Sequence, residues 1–508
     1  MLTTLIGLPI IGAILLFAIP DRHTNRIRGL SIAIAGLLLF IAITVLTQFD
    51  LTNPSLQMQE YIPWIPKIGL DYKLGIDGLS MPLLVLGNLL TLIAILSSSP
   101  DVHRPRFFYA LILLVNAGVV GSFLAQNVLL FVLFYELELI PLYLLIAIWG
   151  GERRDYAAIK FLIYTALSGV LILVGFLALA LANQESFTFD YTTLQTQAQL
   201  LPIGLQTILL TVLLIGFGIK TPLVPFHTWL PDTYVEASTP VAMLLGGVLA
   251  KLGTYGLVRF CLGLFPEAWS NLAPILAIWG TVSVMYGALA AIAQKDIKRM
   301  VAYSSIGHMG YVLLAAAALN TLSLVGGVSQ MVSHGLILAA LFHLVGVIET
   351  KVGTRELDVL NGLLNPIRGL PATSALLVMM GMASAGIPGM MGFVAEFLVF
   401  QGSFPVFPLP TLICIIGTGL TAVYFVILLN RTCFGKLDND TAYYPKVTVM
   451  EQAPALILAG LIVFMGFQPI WMTRWSETTM AALVAKAPIP ASQKVAMVSD
   501  RFPFPALK

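Results

Sequence analysis

This chain contains fourteen mostly apolar stretches of about 20 residues each, the length a helix needs to cross a bilayer. They run approximately over 2–19, 28–47, 79–97, 107–124, 127–149, 160–182, 205–224, 241–262, 272–293, 301–319, 323–347, 374–401, 409–433 and 453–472. Of the 508 residues, 58% are hydrophobic and only 10% are charged, against about 25% charged in soluble proteins. That balance excludes a string of soluble domains, and its apolar content excludes disorder. The stretches are too long and too continuous for the alternating strands of an outer-membrane barrel. A net charge of +2 provides no basic field for nucleic acid. The first stretch has no basic n-region and no small-residue cleavage site, so it reads as a helix rather than a leader. The expected fold is an all-α polytopic membrane protein with about 14 transmembrane helices.

An even number of spans puts both ends on one side, and basic residues decide which side. Loops after odd-numbered spans hold 17 of the 27 basic residues, including Arg22, Arg26, Arg28, Arg104, Arg106, Arg153, Arg154, Lys295, Lys298 and Arg299. Loops after even-numbered spans hold Lys67 and Lys73 alone. The odd-span loops are therefore expected on the cytoplasmic side, with both termini on the opposite face. Two segments, 48–78 and 183–204, read as long loops, and the tail from Thr473 reads as polar and too short for a domain. No Walker-type loop or G-x-G-x-x-G motif opening a βαβ unit occurs. Cys261, Cys414 and Cys433 lack iron–sulfur or zinc spacing, so no cofactor or metal is expected in this chain.

Spans 4–8 and 9–13 each contain five helices. Five is odd, so the second group enters the membrane from the opposite side, which is the topology of an inverted repeat. The division expected is 1–106 as a three-helix N-terminal region, 107–262 and 272–433 as the two repeats, and 434–508 as the last helix and tail. The fourth span of each group carries a breaker. The first reads Gly216-Phe217-Gly218-Ile219-Lys220-Thr221-Pro222, with Pro225 following, and the second reads Ala385-Gly386-Ile387-Pro388-Gly389. Proline removes a backbone donor and clashes with the preceding turn. A helix broken at membrane depth persists only where neighbours or water satisfy the freed carbonyls.

Charged side chains at mid-bilayer cost about 2.5–3.5 kcal/mol each on insertion scales, so four oppose folding by on the order of 10 kcal/mol. Glu136, Lys220, Lys251 and Glu396 are such a set. They persist where they pair, line water or carry function. Glu138 is a fifth, but positions two apart on a helix point about 200° apart. It cannot share one partner with Glu136, which is favoured as the working group. His308 and His334 lie in spans and titrate near neutral pH, which suits a proton relay. His343 is nine residues from His334, on the opposite face, and reads as structural. His227 follows Pro225, at the mouth of the first break. A row of acid, bases, imidazoles and acid over several helices suits proton movement, with static interhelical ion pairs as the alternative.

The run from Phe217 to Asp232, Phe-Gly-Ile-Lys-Thr-Pro-Leu-Val-Pro-Phe-His-Thr-Trp-Leu-Pro-Asp, resembles the antiporter-like membrane subunits of respiratory complex I and the Mrp-type cation/proton antiporters. Leu74–Ser80, Ala302–Gly310 and Gly392–Glu396 extend the resemblance over nearly the whole chain. Glu136-Leu137-Glu138-Leu139-Ile140-Pro141 and a glutamate at 396 are similar to subunit 4, the D-type subunit, of the photosynthetic NADH-dehydrogenase-like complex. Tyr234-Val235 stands where the respiratory form of that subunit has His-Gly, which resembles the cyanobacterial carbon-dioxide-uptake variant.

The resemblance implies that Glu136 and Lys220 form a modulating pair, that Lys251 is a central relay joined by His308 and His334, and that Glu396 is the terminal site. It implies electron input from ferredoxin through a peripheral iron–sulfur arm, and plastoquinone as acceptor in partner subunits. Other antiporter-like subunits, a carbon-dioxide-hydration subunit and lipid are the implied neighbours. A thylakoid membrane with lumenal termini is the implied location. The rivals are an Mrp-type cation/proton antiporter subunit, a static scaffold subunit and, more weakly, a solitary solute carrier.

Overall fold

The computed structural model describes residues 1–182, 187–435 and 444–487. The remainder of the polar tail and the start of the 183–204 segment lie outside the described residues. The chain begins with α1 (Leu2–Leu16) and α2 (Thr24–Gln48). A hairpin of β1 (Gln57–Ile65) and β2 (Leu70–Ile76) leads to α3 (Ser80–Leu96), α4 (Pro105–Leu124), α5 (Val128–Leu137), α6 (Leu139–Trp149) and α7 (Arg154–Ala182). Then come α8 (Tyr191–Ala198), α9 (Ile203–Lys220), α10 (Trp229–Glu236), α11 (Thr239–Leu244) and α12 (Ala250–Gly256). The rest is α13 (Pro266–Ile292), α14 (Ile297–Ala318), α15 (Thr321–Val352), α16 (Pro371–Ser384), α17 (Met391–Ser403), α18 (Pro408–Thr432), α19 (Val449–Phe467), α20 (Ile470–Thr473) and α21 (Glu477–Lys486).

All fourteen apolar stretches are helical. Among the described residues, eleven helical units are long and apolar enough to cross a membrane on their own; α1 and α3 are shorter, and α16 with α17 makes a broken pair. The units 239–262, 297–318 and 321–352 are almost wholly buried, whereas α2, α7, α18 and α19 keep much of their apolar surface exposed. The helices that carry Lys251, His308 and His334 are therefore central, and the outer helices turn residues such as Phe40, Ile163, Val170 and Val426 outward.

Both expected breaks are present. α9 stops at Lys220 and α10 resumes at Trp229, across Pro222 and Pro225. α16 stops at Ser384 and α17 resumes at Met391, across Pro388. There Gly386 and Gly389 take φ of 71° and 91°, a region a side chain disfavours. Two irregularities were not expected. The stretch 127–149 is not one helix but two, parted at Glu138, because Pro141 has no N–H to bond the Leu137 carbonyl. The stretch 241–262 has π-helical turns at Leu245–Leu249 and Leu257–Leu262, on either side of α12.

The 48–78 segment is not simply a long loop. Gln57 pairs with Ile76 and Ile65 with Leu70 in an antiparallel ribbon that turns at Gly69, φ 67°. The 183–204 segment includes α8, whose first turn is capped by Asp190. Lys73 of β2 forms an ion pair with Asp190, and Gln126 N donates to Lys73 O at 2.8 Å, so hairpin and α8 are tied together.

Burial pushes the Asp190 carboxyl up, but hydrogen bonds from Lys73, Thr192 and the Thr193 N–H outweigh it and hold the group below its usual value. A carboxylate with a lowered folded pKa stabilises above its unfolded pKa, and that contribution is lost as pH falls through the folded value. Amide exchange in the hairpin should therefore accelerate as pH drops below about 4, after correction for intrinsic exchange. Asp190→Asn should show the faster exchange already at pH 7. Equal protection in the variant and the parent would show that the pair does not hold the hairpin.

Candidate functional site

The α9 break brings Lys220 to the centre of the protein. Its Nζ donates to Glu138 Oε1 at 2.5 Å, and both side chains are essentially inaccessible. The ammonium also lies 4.7 Å from the centre of the Tyr135 ring. Tyr135 OH meets Ser168 Oγ at 2.9 Å, and Ser168 Oγ donates to Gly216 O at 2.7 Å, in the last turn of α9. Lys220 is thus held from α5, α6 and α7 together.

The expected Glu136–Lys220 pair is not formed; Glu138 takes that place. Glu136 and Glu138 point about 200° apart on a helix, so with Glu138 turned in to Lys220 the Glu136 side chain faces away from it. Glu136 is only partly buried and sits against Gly169 of α7, where an added Cβ would lie 1.6 Å from Glu136 Oε1. Its neighbours Leu133, Leu137 and Ile140 are exposed, so Glu136 lies towards the outer face. The Glu138 Oε2 atom is buried without a protein partner.

Beyond Lys220, Thr221 packs on α12. A Cβ at Gly253 would come within 2.3 Å of Thr221 Oγ1, so only glycine lets the two elements close. Lys251 is two residues away on the same helix, fully buried. Its Nζ donates to Gly246 O and meets His334 Nδ1 at 2.8 Å. The His334 and His308 ring centres are 5.2 Å apart. His308 Nδ1 lies 3.5 Å from Glu396 Oε1 and 3.2 Å from Gln330 Nε2, while its Nε2 lies 3.2 Å from Ser384 Oγ at the second break. Glu396 Oε2 accepts from Thr418 Oγ1 at 3.0 Å, and Thr418 meets Tyr311 OH at 2.9 Å. A cavity of about 10 Å³ lies among His308, Gln330, Ser333, His334, Ser384 and Glu396, roughly room for one water.

Lys251, His334, His308 and Glu396 therefore stand in succession, the two imidazoles joined by a ring contact; Lys220 and Glu138 adjoin Lys251's helix through the Thr221–Gly253 contact, and Glu136 lies off the row. His343, read as structural, and His227, placed at the mouth of the first break, both stand apart from this row. His343 Nε2 donates to Glu451 O at 2.8 Å, and His227 packs 4.5 Å from the Tyr286 ring. Glu138, Gln330, Ser384, Thr418 and Tyr311 were not picked out as working groups by the sequence reading; for Glu138 the available signal was its own carboxylate inside an apolar span. Also missed was a buried pair, Arg259 Nη2 to Asp77 Oδ2 at 2.6 Å, flanked by the Tyr191 and Tyr255 rings. Among the described residues no group of His, Cys, Asp or Glu is arranged to hold a metal ion.

The family model described as NADH:quinone oxidoreductase/Mrp antiporter, transmembrane, matches residues 125–421. The chain is 41% identical to the NAD(P)H-quinone oxidoreductase chain 4 1 of Synechococcus sp. (strain JA-2-3B'a(2-13)), over 96% of this chain and 92% of that one. It is 39% identical to the NAD(P)H-quinone oxidoreductase chain 4 1 of Nostoc sp. (strain PCC 7120), over 100% and 96% of the two chains. Its fold is similar to a chain of respiratory complex I from Thermus thermophilus, with a TM-score of 0.85, 27% identity and coverage of 96% and 99%. A chain of the Mrp complex from Dietzia sp. has the same fold, with a TM-score of 0.85 at 22% identity and coverage of 98% and 99%.

Glu138→Gln should strand a buried ammonium and cost about 3–5 kcal/mol of stability. Glu136→Gln, which leaves the pair intact, should cost far less, and adding Lys220→Met to Glu138→Gln should recover most of the loss. Thermal unfolding of the three variants in detergent measures this. Equal losses for Glu136→Gln and Glu138→Gln would exclude the pairing.

Proposed function

The chain belongs to the NADH:quinone oxidoreductase/Mrp antiporter membrane family, and on that premise we propose that it moves protons through its line of buried groups. It is a proton-translocating membrane subunit of a redox-driven quinone oxidoreductase. The redox chemistry belongs to partner subunits, because no nucleotide motif or cluster spacing occurs in this sequence. The observation that carries the reading is the close succession from Lys251 through His334 and His308 to Glu396. Fixed ion pairs would serve as well for structure if the charges simply matched in twos. Among the described residues no carboxylate pairs with Lys251, and its partners are a carbonyl and an imidazole. A lysine so placed favours proton hand-over more than adhesion.

The working cycle follows from the pair at the other end. With Glu138 against Lys220, the ammonium is counterbalanced. Parting the two removes an opposite charge at about 4 Å, worth roughly 4 kcal/mol at an effective dielectric near 20. That drives the proton from Lys220 towards Lys251, past the Thr221–Gly253 contact. His334 and His308 then pass a proton to Glu396, and the cavity between them accommodates a bridging water. Glu136, nearer the outer face, is the group through which a neighbouring membrane subunit senses or sets the state of the pair.

The finer assignments rest on the relatives and on sequence resemblance. The two five-helix groups, 107–262 and 272–433, are taken as inverted repeats, supported by a break in the fourth span of each. The basic loops place the odd-span connections on the cytoplasmic side of a thylakoid membrane. Plastoquinone, ferredoxin and an iron–sulfur arm belong to the complex as partners of this chain, as do further antiporter-like subunits. The Tyr234-Val235 wording favours the carbon-dioxide-uptake form. Tyr234 OH donates to Leu245 O at 3.0 Å and so steadies the π turn that precedes Lys251.

In sealed vesicles, Lys220→Ala and Lys251→Met should each abolish proton uptake coupled to quinone reduction, with the complex still assembled. Normal pumping by either variant would sink the reading. Mass spectrometry of the purified complex should find a hydrophilic iron–sulfur arm and a carbon-dioxide-hydration subunit. Small membrane partners alone would instead support the Mrp-type alternative.

A further inference from the structure

Two polar rungs bridge α3 and α4, and the transfer line described above uses neither. At the outer rung Ser98 Oγ meets Tyr109 OH at 2.8 Å. At the inner rung Thr91 Oγ1 donates to Asn116 Oδ1 at 2.9 Å, and Asn116 Nδ2 donates to Asn88 Oδ1 at 3.3 Å. All five side chains are buried. The rungs are seven residues apart on both chain segments, about two helical turns, so they fall on one antiparallel seam. Midway between them, in the same register, stand Ile95 and Ile112, both buried.

Each rung adjoins a cavity. The outer one borders a cavity of about 450 Å³ at the ends of α2, α3, α15 and α19, lined by Arg28, Ser97, Ser98, Ser99, Lys351 and Glu451 among others. That end of the molecule carries the basic loops, the side expected to face the cytoplasm. The inner rung borders a cavity of about 10 Å³ lined by Thr91, Asn116, Leu142, Val248 and Leu249, roughly the room one water needs. Leu142 is one turn beyond Glu138 on α6. Val248 and Leu249 belong to the π turn immediately before α12, whose Gly246 carbonyl holds Lys251 Nζ. Hydrogen bonds between membrane helices commonly serve association alone. These two are set apart by having space for water beside them, and by an inner space that reaches the helix bearing Lys251.

We propose that the α3–α4 seam is the cytoplasmic uptake route that reloads Lys251. This rests on the proton-translocating reading and adds the side and path of entry. A proton arriving as hydronium reaches the Ser98–Tyr109 rung from the large cavity. It crosses the Ile95–Ile112 step while that step is hydrated. It then passes along the water held by Thr91 and Asn116 to the free amine of Lys251. The hydroxyl and amide groups orient the water and end the transfer unchanged.

The intact complex in sealed vesicles tests this, with proton uptake measured per quinone reduced. Thr91→Val keeps the side-chain shape and removes the hydroxyl, and should lower uptake by about tenfold or more, the scale expected for losing a proton-transfer group. Thr91→Ser should restore it. Ile95→Ser should wet the dry step and produce a proton leak in resting vesicles. Uptake at the parental level in both Thr91 variants would overturn the route. If Thr91→Val does not assemble, Ile95→Ser decides alone: a resting leak supports the route and a tight membrane overturns it. Lys251→Met separates the two levels. If it is silent while Thr91→Val is normal, the proton-translocating reading fails; if it is dead while Thr91→Val is normal, only the entry route fails.

Discussion

A polar group in hydrocarbon must find its partner within the protein, and that requirement organises this structure. In the π-helical segments and at the α9 break, freed carbonyls are met by side chains. Tyr234 bonds Leu245 O, Lys251 bonds Gly246 O, and Tyr191 bonds Arg259 O at 3.0 Å, so three carbonyls of the π-helical segments are satisfied from outside the ladder. At the α9 break Trp229 Nε1 donates to Ile219 O at 2.9 Å and Ser168 to Gly216 O. The irregular backbone and the ionisable side chains are therefore one design. The breaks supply free carbonyls and room, and Lys251, which bonds one of those carbonyls, is also a member of the proposed transfer line.

Much of this was legible from the residues. The fourteen spans follow from length and apolar content, which bilayer thickness fixes with little tertiary influence. The two breaks follow from Pro222, Pro225, Pro388 and the glycines around them, because proline acts locally. Lys251, His334, His308 and Glu396 could be singled out because a charge or imidazole in a span is costly wherever it points. Partner choice was not legible. Glu136 and Glu138 lie on opposite sides of one helical stretch, and the residues alone do not say which side meets Lys220; the Glu136–Lys220 pair was implied by the family resemblance. The hairpin was missed because β1 carries Pro63 and leaves Tyr61, Ile62 and Trp64 exposed, a pattern unlike a strand laid on a core. The π turns have no local signature, since Leu245–Leu249 is an ordinary apolar run. The Asp77–Arg259 pair joins residues 182 positions apart, beyond the reach of any periodicity.

The asymmetry between the ends of the line bears on its direction of work. At one end Lys220 faces a carboxylate directly, with an aromatic ring beside it and no hydroxyl on the ammonium among the described contacts. At the other, Glu396 is met by a hydroxyl on one oxygen and an imidazole at 3.5 Å from the other. An ion pair in low dielectric is bistable, strongly held when closed and costly when open. A carboxylate among neutral, reorientable donors changes its proton occupancy with less rearrangement. The first arrangement suits a switch thrown by conformational change, and the second suits a site that loads and empties.

Along the line acids and bases match in number, Glu138 and Glu396 against Lys220 and Lys251, with Glu136 beside it. In the proposed function, opening the Lys220–Glu138 pair changes where a proton sits without changing the total charge of the line. A local displacement of two side chains, driven from a neighbouring subunit at the Glu136 face, is then sufficient to move a charge along the line to Glu396.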